Sequence, residues 1–147
     1  MPRSEEPLGL WATPWLRAGL VAGMFSGAPS AAWALSRGED VLASTEAVGA
    51  TVLRGGGGRL GRLVAGGLAH VAISLLWARV LRRPLQDRPD PAGAAAAGAL
   101  WGAAIAGLDL GLIGRRLPAI RSLEVGPLFA DHVAYGAIVG WVLARSG

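Results

Sequence analysis

Four apolar segments, at about residues 15–35, 63–81, 92–114 and 127–144, are separated by connections rich in arginine. Each approaches the roughly 20 residues that a helix needs to cross a hydrocarbon core about 30 Å thick. The pattern predicts an all-α chain in which residues 1–147 form a single membrane domain, a four-helix transmembrane bundle. Four crossings bring the two ends of the chain to the same side of a cell membrane.

Composition agrees with this solvent. Apolar residues make up 52% of the chain and charged residues 16%, against about 25% in an average soluble domain; the mean hydropathy is +0.44. The 23 glycines would weaken water-soluble helices, each by about 1 kcal/mol relative to alanine. In lipid, glycine instead lets helix backbones approach closely. Every base is an arginine, and the isoelectric point near 11.2 raises nucleic acid as a partner. The arginines, however, sit singly or in pairs at the borders of the apolar segments, where membrane anchors sit. The expected partner is the lipid bilayer, with a homo-oligomer or a larger membrane complex as the protein-level assembly and no nucleic acid. The chain has no cysteine, which excludes disulfides, thiolate metal sites and cysteine nucleophiles.

Residues 1–13 read as a short polar tail. The first segment runs without charge from Arg17 to Arg37. Ala32-Trp33-Ala34 resembles a signal-peptidase pattern, but Glu5 and Glu6 spoil a positive leader and three more apolar segments follow. In the connection 36–62, Val41, Leu42, Thr45, Val48 and Val52 fall near one helical face. They predict an interfacial helix, or a lid on the bundle, between the first and second spans. Gly55 to Gly58 then make a joint; with no lysine in the chain they are not a phosphate-binding loop. Arg3, Arg17, Arg79, Arg82, Arg83, Arg88 and Arg145 lie toward the terminal face, and Arg37, Arg54, Arg59, Arg62, Arg115, Arg116 and Arg121 toward the other. Seven against seven does not orient the chain. The arginine-dense 82–88 loop tilts the reading to cytoplasmic termini.

Small residues four apart predict close helix packing: Gly19, Gly23 and Gly27 in the first segment, Gly98, Gly102, Gly107 and Gly111 in the third, and Gly136 and Gly140 in the fourth. Ionisable residues within the segments are few: His70, Asp109, Asp131 and His132. Counted from the segment ends, these four and Ser30 lie roughly 6 to 12 Å below one membrane surface, the one bearing loops 36–62 and 115–126. A structural role would have them cross-link helices, with Asp131 complementing the positive end of its own helix and Asp109 pairing with Arg115 or Arg116. A functional role would be proton or ion handling. A metal held by His70, His132, Asp109 and Asp131 suits the residue types, but no ligand spacing supports it, and no metal or cofactor is expected. On a helix, the adjacent Asp131 and His132 point about 100° apart. Pro29 leaves the Phe25 carbonyl without its helical donor, which predicts a kink there with Ser26 or Ser30 as substitute donor. Ser74, four residues from His70, reads as a packing serine.

The stretches AGLVAGMFSGAPS, AHVAISLLWARVL, LDLGLIGRRLPAI and ADHVAYGAIVG, in this order, resemble a group of small uncharacterised bacterial four-helix integral membrane proteins. The similarity spans most of residues 17–144, with GAPS, LDLGLIGRRLPAI and ADH its most specific pieces. It implies an integral membrane protein and brings no activity with it. The expected role is a structural or accessory membrane subunit. The alternative is a proton-coupled carrier or ion pathway using the His/Asp layer, though no inverted repeat relates the two halves. No nucleophile–base pairing marks an enzyme.

Overall fold

The computed structural model describes residues 13–85, 87–88 and 90–146; most of the predicted N-terminal tail lies outside them. Helices account for the structure, and no strand occurs among the described residues. In chain order they are α1 (Pro14–Phe25), α2 (Ala28–Arg37), α3 (Ala43–Val52), α4 (Arg59–Leu85), α5 (Pro91–Leu108), α6 (Pro118–Arg121) and α7 (Val125–Ala144). A π-helical turn, Asp109–Ile113, and a 3-10 turn, Gly114–Arg116, extend α5.

Four helical units are long and apolar enough to cross a bilayer: Pro14–Arg37, Arg59–Leu85, Pro91–Arg116 and Val125–Ala144. Only 28%, 17%, 22% and 33% of their apolar windows are buried, so most of the apolar surface faces outward. Met24, Leu35, Leu60, Leu68, Leu76 and Leu100 are all more than half exposed. A bundle folded in water would turn such side chains inward; one dissolved in lipid has no reason to. The interior is built from small residues instead, with Ala18, Ala22, Ala78 and Ala94 wholly buried around Leu81, Leu85 and Val139.

α7 is the hub and touches α1, α2, α4 and α5. Its tightest partner is antiparallel α5, where Ala94, Gly98 and Gly102 meet Gly140, Gly136 and His132 in register. A Cβ on Gly98 would strike the Gly136 carbonyl, one on Gly136 the Gly98 carbonyl, and one on Gly102 the His132 carbonyl. Backbone lies on backbone, a distance only glycine permits. α1 packs on α4 more loosely, with Gly19 facing Ala78 and Leu75, and Gly23 facing Ser74. Gly27, Gly107 and Gly111 depart from the expectation, since a Cβ on any of them would meet nothing within 4 Å. Gly107 is five residues past Gly102, about 140° round the helix, and Gly111 lies in the π turn.

The connection 36–62 carries the helix that its sequence predicts between the first and second spans. Gly38, in the left-handed conformation at φ 68°, ends α2. α3 then packs antiparallel on the first turns of α4, with Gly49 against the Arg62 carbonyl and Gly66 against that of Thr45. Of the residues on the expected apolar face, Val41, Leu42 and Val52 are exposed and Thr45 and Val48 are half-buried, while Gly49 is the fully buried residue. Polar clamps reinforce the contact. Glu46 binds Arg62 at 2.7 Å and Arg59 at 3.3 Å, and Arg59 also pairs with Asp40.

Candidate functional site

The first apolar unit is not one helix. α1 stops at Phe25, and α2 begins at Ala28 with Pro29 in its first turn. The break at Ser26–Gly27 therefore precedes the proline, which takes a position where its missing N–H costs nothing. A break of this kind leaves carbonyls without donors at the end of α1 and N–H groups without acceptors at the start of α2. In an apolar medium each such orphan costs several kcal/mol by general estimate, ~2–7 depending on the reference state.

Two side chains from other helices fill these vacancies. His70 of α4 places Nε2 2.9 Å from the Gly23 carbonyl of α1. Because a carbonyl only accepts, Nε2 carries the proton and donates it. Asp131 of α7 accepts a hydrogen bond from the Ser30 amide of α2, with Oδ1 at 2.9 Å. The donor thus meets the negative end of α1 and the carboxylate meets the positive end of α2, the favourable sense at both dipole ends. Ser30 adds a local contact, its hydroxyl donating to the Gly27 carbonyl at 3.1 Å. Neither the Ser26 nor the Ser30 hydroxyl donates to the Phe25 carbonyl, so the break is served largely from outside its own helix.

His132 turns the other way round α7, as the 100° step requires. Its Nδ1 lies 2.7 Å from the Leu128 carbonyl one turn back, and its Nε2 lies 3.4 Å from Oδ2 of Asp109. Asp109 opens the π turn, where the Gly114 amide donates to the Asp109 carbonyl. π turns often mark functional positions. Since the Leu128 carbonyl can only accept, Nδ1 of His132 holds a proton. The Nε2–Oδ2 contact then requires a second proton, carried either by the ring as imidazolium or by the acid. Both forms of the pair are electrically neutral, which suits an apolar surrounding. The side chains are 24% and 25% exposed, so the pair is shielded but not sealed.

Two expectations are corrected here. Asp131 serves the N-terminus of α2 and not that of its own helix. Asp109 pairs with His132, and neither Arg115 nor Arg116 makes an ion pair with it. The single depth layer also resolves into two levels. His70 acts at Gly23 on the α1 side of the break, and Asp131 acts at Ser30 on the α2 side, seven residues later. Because His70, Asp131 and the Asp109–His132 pair address three different partners, they do not converge on one metal position. Among the described residues no group of three or more metal-ligating side chains is close enough to hold an ion.

Sequence reasoning missed one member. Tyr135, buried in α7, donates its hydroxyl to the Ser74 carbonyl of α4. Ser74 is itself buried and packs against Gly23. The signal was present: Tyr135 is the chain's only tyrosine, and it lies three and four residues after His132 and Asp131 on the same helix. Beside Ser30, a cavity of about 80 Å³ is bounded by Trp33, Asp40, Ser44 and Leu128, so the Asp131 end of the network lies near the loop-bearing face.

Comparison with protein-family models, with curated proteins and with solved structures gives no match for this chain.

Proposed function

We propose that this is a small multi-pass membrane protein whose intramembrane His/Asp network is architectural, and that it serves as a structural or accessory membrane subunit. One observation carries the reading. All four histidine and aspartate side chains within the apolar units are engaged across helices: His70 with Gly23, Asp131 with Ser30, and Asp109 with His132. In secondary transporters the ends of broken helices face substrate and coupling ions. Here the protein's own histidine and aspartate occupy that role. The outward-facing leucines support a lipid surrounding, and the resemblance to small bacterial four-helix membrane proteins points the same way. The bilayer is then the principal partner, with self-assembly or a larger membrane complex as the setting. The arginine-dense 82–88 loop supports a cell-membrane topology with both ends cytoplasmic.

The test is alkaline carbonate extraction of membranes, followed by thermal unfolding of the detergent-purified protein. The chain should stay with the membrane, and D109N and D131N should unfold at lower temperature than wild type. Release into the carbonate supernatant would contradict the membrane assignment, and unchanged unfolding of both variants would contradict the architectural role. Cysteine labelling within loop 82–88 tests orientation: reaction from outside intact cells would reverse it.

A second reading rests on the Asp109–His132 pair, whose Nε2 and Oδ2 lie 3.4 Å apart. Such a pair can pass a proton, and a proton or ion pathway would be built on it. Flux into liposomes that D109N abolishes would favour this reading over the first.

A further inference from the structure

We infer that the outer face of α4 near its C-terminal end binds the phosphate head group of an anionic phospholipid, an inference that rests on the membrane assignment above. Arg79, Arg82 and Arg83 stand at i, i+3 and i+4, and all three are exposed on one side of the helix. The opposite side of the same turns is core, with Ala78, Leu81 and Leu85 buried. With Leu76 and Val80 the three arginines line an open groove of about 520 Å³. Leu76 and Val80 are 58% and 48% exposed. The groove is therefore cationic toward the end of the helix and apolar toward its middle.

The cations are unspent. Among the described residues no carboxylate pairs with Arg79, Arg82 or Arg83, whereas Arg37, Arg59 and Arg62 at the other end of the bundle are all ion-paired. Of the two acids in the following loop, Asp87 makes no ion pair with these arginines, and Asp90 caps α5 by accepting from the Ala92 and Gly93 amides. Arg79 is held in position by the Trp15 ring, 5.6 Å from the guanidinium carbon to the ring centroid. Arg115, Arg116 and Arg121 also lack carboxylate partners, but they line neither this groove nor the cavity beside Ser30.

Three guanidinium groups present donor forks suited to phosphate oxygens. A free anion would use only those forks. The Leu76–Val80 wall continues the groove along α4 in the direction an acyl chain takes from its head group, so an anionic lipid accounts for both halves of the groove. Basic sites on membrane helices bind anionic head groups in this way.

The experiment is native mass spectrometry of the detergent-purified full chain after equilibration with equal amounts of phosphatidylglycerol and phosphatidylcholine. It uses wild type, R79Q/R82Q/R83Q, R79K/R82K/R83K, and the charge-matched control R115Q/R116Q/R121Q. Wild type should retain the anionic lipid over the zwitterionic one by at least about tenfold. That preference should vanish in R79Q/R82Q/R83Q, survive in the control, and return in part in R79K/R82K/R83K, with helical circular dichroism unchanged throughout. No preference in wild type, or equal loss in both glutamine triples, would overturn the site. Displacement of the lipid by millimolar inorganic phosphate would show an anion site without a lipid component and would also overturn it. Failure of the membrane assignment is seen separately, as a protein that stays soluble when detergent is removed.

Discussion

Asp131 of α7 caps the N-terminus of α2, its Oδ1 2.9 Å from the Ser30 amide across 101 residues of sequence. Intrahelical caps usually come from the residue just before the helix. Here that residue is Gly27, which has no side chain to offer, and a neighbouring helix supplies the acceptor. The broken helix is therefore tied to α7 at the break itself. Loss of the Asp131 carboxylate leaves a shielded N–H without a partner.

Asp131→Ala should destabilise the protein by about 1–3 kcal/mol, the cost of an uncapped and unsatisfied amide. Asp131→Asn keeps an acceptor oxygen and loses the charge, so its cost should be smaller. Thermal or denaturant unfolding in detergent ranks the two; equal stability of D131A and wild type would remove the cap from the account.

His70→Phe should cost on the order of 1 kcal/mol, because the Gly23 carbonyl then loses its donor at the end of α1. His70→Gln can place an amide N–H near the same carbonyl and should recover part of the loss. Amide hydrogen exchange over residues 20–30 reads the effect locally, with faster exchange expected in H70F than in H70Q.

The Asp109–His132 pair should show coupling in a double-mutant cycle. D109L or H132F alone strands the other polar group and should cost about 3 kcal/mol, whereas the double variant D109L/H132F should cost clearly less than the sum. Strict additivity would mean that the 3.4 Å contact contributes nothing.

Gly136→Leu and Gly98→Leu should force α5 and α7 apart and destabilise by at least about 1–3 kcal/mol. Gly107→Leu, where a Cβ meets open space, should change stability by less than about 1 kcal/mol. Similar losses at Gly107 and Gly136 would contradict the packing described above. Gly102→Ala carries an extra consequence, because Gly102 seats the backbone of His132: it should weaken the Asp109–His132 coupling as well as the helix contact.

Much of this architecture was legible in the sequence because the bilayer leaves a chain few options. A long apolar segment in lipid must satisfy its own backbone, so segments 15–35, 63–81, 92–114 and 127–144 mapped onto helices with ends shifted by a few residues. The polar residues His70, Asp109, Asp131 and His132 stood out by type alone. Their partners did not, because partnership depends on the register between helices, which no single segment encodes. Asp131 meets Ser30 only once α2 and α7 are aligned, and Asp109 meets His132 only once α5 and α7 are. The same limit explains the glycines. Spacing by four selected Gly98 and Gly136 correctly as partners for a neighbouring backbone, but it also selected Gly107 and Gly111, which lie on another side of their helix. Pro29 signalled a disruption in the first segment. The break lies just before it, at Ser26–Gly27, because the first turn of a new helix is where proline fits.

The role proposed for the intramembrane His/Asp network is to hold the bundle together and to move nothing. Proton flux into liposomes reconstituted with wild type, D109N and D131N, measured on preparations whose unfolding temperatures are also recorded, tests it directly. The account predicts no wild-type flux above protein-free vesicles, together with lowered unfolding temperatures in both variants. Wild-type flux that D109N abolishes while its unfolding temperature stays unchanged would contradict it.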